Sequence, residues 1–187
     1  MAYIIGVVSQ KGGVGKSTLC RAVAREAAAS GMKVKVADLD VQQGTIVNWN
    51  RRRLEKNILP VFSVESFKTA SQAIQSQSDF DLLIIDGPAR ASQGTLEIAS
   101  QSDVVIQPTG ASLDDLDPAI LTFHELVKSG IQKSKLVFSL SRVGTESEED
   151  ECRSYIDQAG YGILSGCLFE RPAYRQAQNM GFSVTET

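Results

Sequence analysis

The run Gln10-Lys11-Gly12-Gly13-Val14-Gly15-Lys16-Ser17-Thr18 constrains this chain more than any other segment. An apolar stretch from Tyr3 to Val8 precedes it. An amphipathic stretch from about Ser17 to Ser30 follows, with Gly31 placed as the C′ residue. Strand, glycine-rich turn and helix form the context in which such a loop binds phosphate. The glycines let main-chain amides turn toward an anion without Cβ clashes, and the helix N-terminus adds its own N–H groups. The amides of Gly12, Gly13, Val14 and Gly15 then form a nest for a β-phosphate. Lys16 neutralises the β- and γ-phosphates, Ser17 offers its hydroxyl to Mg²⁺, and Thr18 reaches the α-phosphate. The usual spacing places glycine at position 10, where this chain has Gln10. It carries instead a second lysine, Lys11, ahead of the glycine pair, which gives the deviant form K-G-G-x-G-K-[ST].

The remainder alternates short apolar runs with amphipathic ones, the signature of repeated βα units. Strands are expected at Lys33 to Asp38, Val61 to Val64, Asp81 to Asp86, Val104 to Gln107, Leu136 to Leu140 and Ile163 to Leu168. Helices are expected at Phe67 to Gln77, Thr95 to Ser100, Leu113 to Ser129, Glu148 to Ala159 and Arg171 to Met180. Pro118 lies inside the Leu113 to Ser129 segment, so that helix is expected to begin near Asp117 with Pro118 at N1. The run Asp-Leu-Leu-Ile-Ile-Asp over 81–86 is nearly all apolar, as a central parallel strand covered on both faces requires. Residues 1–187 therefore read as one doubly wound α/β domain with a mainly parallel sheet.

Phosphate chemistry with a metal needs carboxylates at strand ends beside the loop. Asp86 ends the apolar strand before Gly87-Pro88, the position where an aspartate organises the Mg²⁺ shell. Asp38 and Asp40 end the second strand, at the carboxyl edge that faces ligands in open α/β sheets. One residue apart, they point to opposite sides. Asp40 is the candidate for orienting an attacking water, and Asp38 for supporting the metal shell.

Composition removes other classes. The formal net charge is -3, so nucleic-acid contact needs a local basic patch. Arg51-Arg52-Arg53 with Lys56 is the densest such cluster, set against a solvated helix face as the plain alternative. Three cysteines without a C-x-x-C pair, and one histidine, give neither a zinc pattern nor a disulfide framework. No run has the length of a membrane span, and the ending Gly181 to Thr187 lacks the lysines of a membrane-surface helix.

Taken together, Lys11-Gly-Gly-Val-Gly-Lys16-Ser17, Asp38-x-Asp40-x-Gln42 and Ile85-Asp86-Gly87-Pro88 resemble the ParA/MinD family of deviant Walker-A ATPases. Thr45-x-x-x-Trp49, Pro108-Thr109 with Leu113-Asp114, and Arg171-Pro-Ala-Tyr-Arg175 are similar to the small plasmid-partition ParA proteins. Val41 departs from the proline usual in the second motif. The chain ends where related proteins continue into another helix, which implies a short member or a truncated chain. The resemblance implies a homodimer that sandwiches two ATP molecules and hydrolyses them to ADP and phosphate, slowly without a partner. Lys11 would reach the partner's nucleotide, Asp40 would position the hydrolytic water, and Arg142 would contact adenine. The ATP-bound dimer would bind DNA without sequence preference. A ParB-like centromere-binding protein would stimulate hydrolysis, and the protein would be cytoplasmic, associated with the nucleoid when ATP-bound. The other reading is a nucleotide-dependent adaptor that recruits a protein complex with little turnover, as T-DNA-transfer relatives suggest.

Overall fold

The computed structural model describes residues 1–88 and 92–187. Among them, seven strands form one all-parallel sheet in the order β3-β2-β4-β1-β5-β6-β7. In chain order the elements are β1 (Tyr3–Val7), α1 (Lys16–Ala29), β2 (Val34–Asp38), α2 (Thr45–Glu55), β3 (Ser63–Ser66), α3 (Ala70–Gln75) and β4 (Leu82–Asp86). There follow α4 (Ser92–Gln101), β5 (Val104–Thr109), α5 (Leu113–Lys128), β6 (Leu136–Val143), α6 (Glu146–Gln158), β7 (Gly162–Phe169) and α7 (Pro172–Asn179). The chain winds outward from β1 to β3, returns through β4, and crosses β1 to build the other half. The strand order therefore reverses beside β1, the place where such sheets bind ligands at their carboxyl edge.

Alternation along β4 shows why the sheet must be covered twice. Leu83 and Ile85 enter one core with Ile4, Phe123 and Phe138, while Leu82 and Ile84 enter the other with Leu19, Val36 and Trp49. A strand apolar at every position can satisfy both faces only between two helical layers. No helix among the described residues is long and apolar enough to cross a membrane.

Several boundaries differ from the sequence expectation. The third strand is Ser63–Ser66, not Val61 to Val64, because its ladder is set by Lys35 to Asp38 of β2, and Val61 lies outside it and exposed. The following helix begins only at Ala70, where the Thr69 hydroxyl accepts from Gln72 N and fixes the start. β5 continues through Pro108 to Thr109. Beyond Ile106 it pairs only with β6, so the missing proline N–H costs no ladder bond on the open side.

The helix α2 (Thr45–Glu55) has no counterpart among the expected elements, and α5 departs in where it starts. It begins at Leu113, and Pro118 lies inside it. An interior proline leaves the carbonyl four residues back without its helical donor. That carbonyl is Asp114 O, and here it accepts from Lys11 Nζ at 3.3 Å. The helix tolerates Pro118 because a side chain from the glycine-rich loop supplies the missing donor.

The C-terminal turn is stitched to α2. Trp49 is fully buried and donates from Nε1 to Phe182 O at 3.1 Å. Arg53, 1% exposed, donates to Gly181 O, Leu59 O and Glu186. The expected basic cluster is thus corrected. Arg53 shares the inward face of α2 with Trp49, four residues earlier, and Lys56 Nζ binds Met180 O. Arg51 remains exposed on the outer face.

Candidate functional site

β1 delivers the glycine-rich loop to the carboxyl edge of the sheet, and α1 starts immediately after it. Gly13 and Gly15 hold φ of 78° and 96°, a left-handed conformation that other residues adopt only with strain. Gly15 is the N-cap of α1, and no side chain caps that end. By contrast, α3 and α6 are capped by Thr69 and Thr145. An uncapped first turn presents its amides, and the positive end of the helix, to whatever occupies the loop. The loop is tied to β6 by Ser141 Oγ, which donates to Val14 O at 2.8 Å.

β2 and β4 place Asp38 and Asp86 side by side, since the two are register partners. Asp86 is 2% exposed. Its Oδ2 accepts from Ser17 Oγ at 2.7 Å, and its Oδ1 is buried with no hydrogen-bond partner among the described residues. Burial pushes the Asp86 carboxyl up to about 6, against the Ser17 hydrogen bond; the Asp38 charge adds to the rise and Lys16 opposes it.

Asp38 is fully buried, and burial raises it as well. Its Oδ1 accepts from Asp40 N at 3.1 Å and its Oδ2 from Ile46 N at 3.1 Å. It caps α2 from a distance, because the N-cap of that helix is Gly44, which has no side chain to offer. Its oxygens are thus committed to the loop between β2 and α2, and the oxygen of the pair left without a hydrogen-bond partner among the described residues is Asp86 Oδ1. Asp40 is half-buried, accepts from Gln43 N, and lines a cavity of about 280 Å³ with Gly12, Lys16, Ser17 and Asp86. Of the sequence-derived residues, Gly12, Gly13, Gly15, Lys16, Ser17, Thr18, Asp40 and Asp86 line this cavity, and Lys11, Val14, Asp38 and Arg142 do not. Lys11 does not line this cavity: its ammonium bonds Asp114 O and pairs with Asp115 on α5.

A second hollow of about 300 Å³ opens beside the first, between Gly13, Thr18, Arg142, Tyr174 and Gln178. Arg142 has φ of 59°, and its guanidinium reaches Gly13 O at 3.4 Å and Glu170 at 3.5 Å. Sequence reading missed Arg21. It is 7% exposed, donates to Gln178 Oε1 at 2.6 Å and Thr45 O at 2.9 Å, and so joins the two hollows. The signal was its place four residues after Ser17, on the same face of α1.

A phosphate nest on a central parallel strand, an open helix end and a buried carboxylate facing a serine hydroxyl define a P-loop nucleotide-binding protein. The CobQ/CobB/MinD/ParA nucleotide binding domain matches residues 5–182, and the chain belongs to that family. It is 29% identical over 177 residues to Protein ParA of Rhizobium radiobacter, covering 91% of this chain and 80% of that protein. Its fold is similar to the MinC:MinD cell division protein complex of Aquifex aeolicus, with a TM-score of 0.77, 17% identity, and coverage of 99% and 88% of the two chains. It is also similar to the septum site-determining protein MinD complexed with Mg-ADP from Pyrococcus horikoshii, with a TM-score of 0.75, 19% identity, and coverage of 100% and 88%.

The raised Asp86 gives a prediction for the metal-free protein. Its folded value lies above the ordinary 3.8, so ionisation in the fold is penalised. That penalty is fully present above about pH 6 and vanishes toward pH 4. Asp86→Asn is expected to stabilise the nucleotide-free protein by on the order of 2–3 kcal/mol at pH 8, with the gain shrinking as pH falls through 6. Urea unfolding of both proteins across this range checks it; a gain that is constant with pH contradicts it.

Proposed function

We propose that this chain is an ATPase that works as an ATP-dependent dimer switch in the partition of plasmids or other cargo. The observation that carries the reading is the division of labour between its two loop lysines. Lys16 lines the phosphate cavity with Asp40 and Asp86, whereas the Lys11 ammonium is directed out of it. A loop cation with no place at its own phosphate site is available to the nucleotide of a second copy. The relative named ParA and the MinD structure with Mg-ADP support partition and nucleotide-dependent switching as the setting.

The residues fit Mg²⁺. Ser17 Oγ and the Asp86 carboxylate are hard oxygen donors, and the orphaned Oδ1 is a buried acceptor that a cation shell would satisfy. When bound with nucleotide, Mg²⁺ supplies positive charge against the phosphate oxygens. The protein's own groups do the rest. Loop amides and Lys16 hold the phosphates of ATP or ADP, Thr18 lies on the α-phosphate side, and Arg142 and Tyr174 flank the space for adenine. Asp40 orients the attacking water through its carboxylate. Turnover in the isolated protein is slow, because charge stabilisation depends on a second subunit and a ParB-like activator. The ATP-bound homodimer holds DNA without sequence preference, with Arg51 and Arg52 contributing phosphate contacts. In the cell it resides in the cytoplasm, on the nucleoid when ATP-bound.

Molar mass by light scattering tests the switch. With ATP-Mg²⁺ the wild type is expected to double its mass, and with ADP to remain a monomer. Lys11→Ala is expected to bind ADP as wild type does and to stay monomeric with ATP. A mass indifferent to nucleotide in the wild type would replace the switch with the adaptor reading.

A further inference from the structure

We propose that Gln178 is a specificity-determining residue that reads the sugar of the bound nucleotide, with its amide held in the reading orientation by the positioning residue Arg21. The inference rests on the nucleotide placement given above and adds what the second hollow selects. It starts from one side-chain amide whose two ends have different settings.

The oxygen of that amide is taken. Gln178 Oε1 accepts from Arg21 Nη1 at 2.6 Å and from Thr18 Oγ1 at 3.2 Å. A guanidinium has donors and no acceptor, so only the oxygen of the amide can face Arg21. The Nε2 group is thereby turned away from α1. It has no hydrogen-bond partner among the described residues, and Gln178 lines the second hollow with Thr18, Arg142 and Tyr174. When a phosphate takes the Thr18 hydroxyl, Arg21 alone still fixes the amide.

Both members of the pair are held in place. Arg21 is 7% exposed, its Nη2 donates to Thr45 O at 2.9 Å, and its guanidinium lies 5.3 Å from the Trp49 ring centroid. Beyond α7, Gly181 turns the chain back with a φ of 94°. That turn is fastened by Trp49 Nε1 to Phe182 O and by Arg53 Nη1 to Gly181 O. A donor fixed before its ligand arrives binds without the cost of ordering a long side chain.

Position along the nucleotide names the group that is read. Thr18 lies on the α-phosphate side, and Arg142 and Tyr174 flank the space for adenine. The ribose is the part of a nucleotide between those two. Gln178 bonds Thr18 directly and stands four residues after Tyr174 on the same face of α7, so it lies at the level of the sugar. An N–H donor there meets the ribose hydroxyl oxygens, which accept. A nucleotide without those hydroxyls leaves Nε2 unmatched, and binding weakens by the worth of one neutral hydrogen bond, about fivefold.

Calorimetric titration of the full chain, with Mg²⁺ and either ADP or dideoxy-ADP, which lacks both ribose hydroxyls, tests the assignment. ADP is used so that dimer formation does not enter. The wild type is expected to prefer ADP about fivefold. Gln178→Glu keeps an oxygen toward Arg21 and removes the N–H donor. Its added charge weakens both ligands alike, and the preference between them is expected to vanish. Gln178→Met is expected to lose the preference too, and Arg21→Met, which frees the amide to turn over, to lose most of it. Inosine diphosphate, altered only in the base, is expected to keep the same affinity relative to ADP in every variant. Equal binding of ADP and dideoxy-ADP by the wild type would overturn the inference and leave the dimer switch standing. A Gln178→Glu protein that keeps the wild-type preference would also overturn it, since the amide would then serve only the fold. So would one in which the inosine ratio moves instead, since the amide would then read the base. A wild type that binds neither adenosine diphosphate would overturn the nucleotide placement itself, and the sugar reading with it.

Discussion

Glu186→Ala is expected to cost this protein about 3–5 kcal/mol of folding stability, the largest effect of any single replacement outside the cores. Among the described residues the carboxylate is the only charged partner of Arg53, which is 1% exposed: Oε2 accepts from Nη1 at 2.6 Å and Oε1 from Nη2 at 3.3 Å. The guanidinium also lies over Trp49 and Phe62, 5.1 and 5.8 Å from their ring centroids, where water cannot reach it. Removing the carboxylate strands a desolvated cation, and that penalty, not the lost attraction, sets the size of the effect. Glu186 additionally closes a capping box, accepting from Ser183 N at 2.6 Å. Urea unfolding measures the loss directly. A fall below about 1 kcal/mol would mean the pair is solvated and the burial argument wrong. Replacing both partners together, as in Arg53→Met with Glu186→Leu, is expected to recover most of the loss, because no charge is then left without a counterion.

The second large effect is on chemistry. Asp40→Ala is expected to lower ATP turnover about 10²–10⁴-fold, the range for loss of a group that handles the water's proton, while ATP binding survives. The loop around it explains why binding is spared. Asp38 holds Asp40 N and Ile46 N, so the frame of the loop does not depend on the Asp40 side chain, which secures only Gln43 N. The variant should accumulate as an ATP-bound dimer. Single-turnover hydrolysis of radiolabelled ATP reads the rate, and light scattering reads the trapped dimer. Turnover equal to the wild type would remove Asp40 from its role. Asp38→Ala is the contrasting case, in which the loop itself loses its anchor.

These two residues also mark what could be read from the sequence. The loop from Lys11 to Thr18, the apolar strand before Asp86 and the paired aspartates are local patterns. Their chemistry follows from residues a few positions apart, and the structure brings Lys16, Ser17, Asp40 and Asp86 to one cavity. Glu186 and Asp115 could not be found this way. Each acts on a partner more than a hundred residues distant, Arg53 and Lys11, and nothing in the intervening chain specifies the encounter. Arg53 itself was legible in principle, since its spacing from Trp49 puts both on one face of α2, but three consecutive arginines read first as a surface cluster. Pro118 shows the same limit from the other side. The rule that proline ends a helix is local, and it was overridden by a donor from the far end of the chain. The edge strand β3 shifted by two residues because its extent belongs to β2, not to its own composition.

Trp49 has a use beyond packing. It is the single tryptophan of the chain, and its indole N–H is held by Phe182 O in the C-terminal turn. Arg21, which also grips Thr45 O and Gln178, stacks over the same ring at 5.3 Å from its centroid. One fluorophore therefore sits between the terminal turn on one side and, on the other, the residue joining the two hollows. Its emission is an intrinsic optical gauge of whether those parts stay docked, readable in unlabelled protein and in real time.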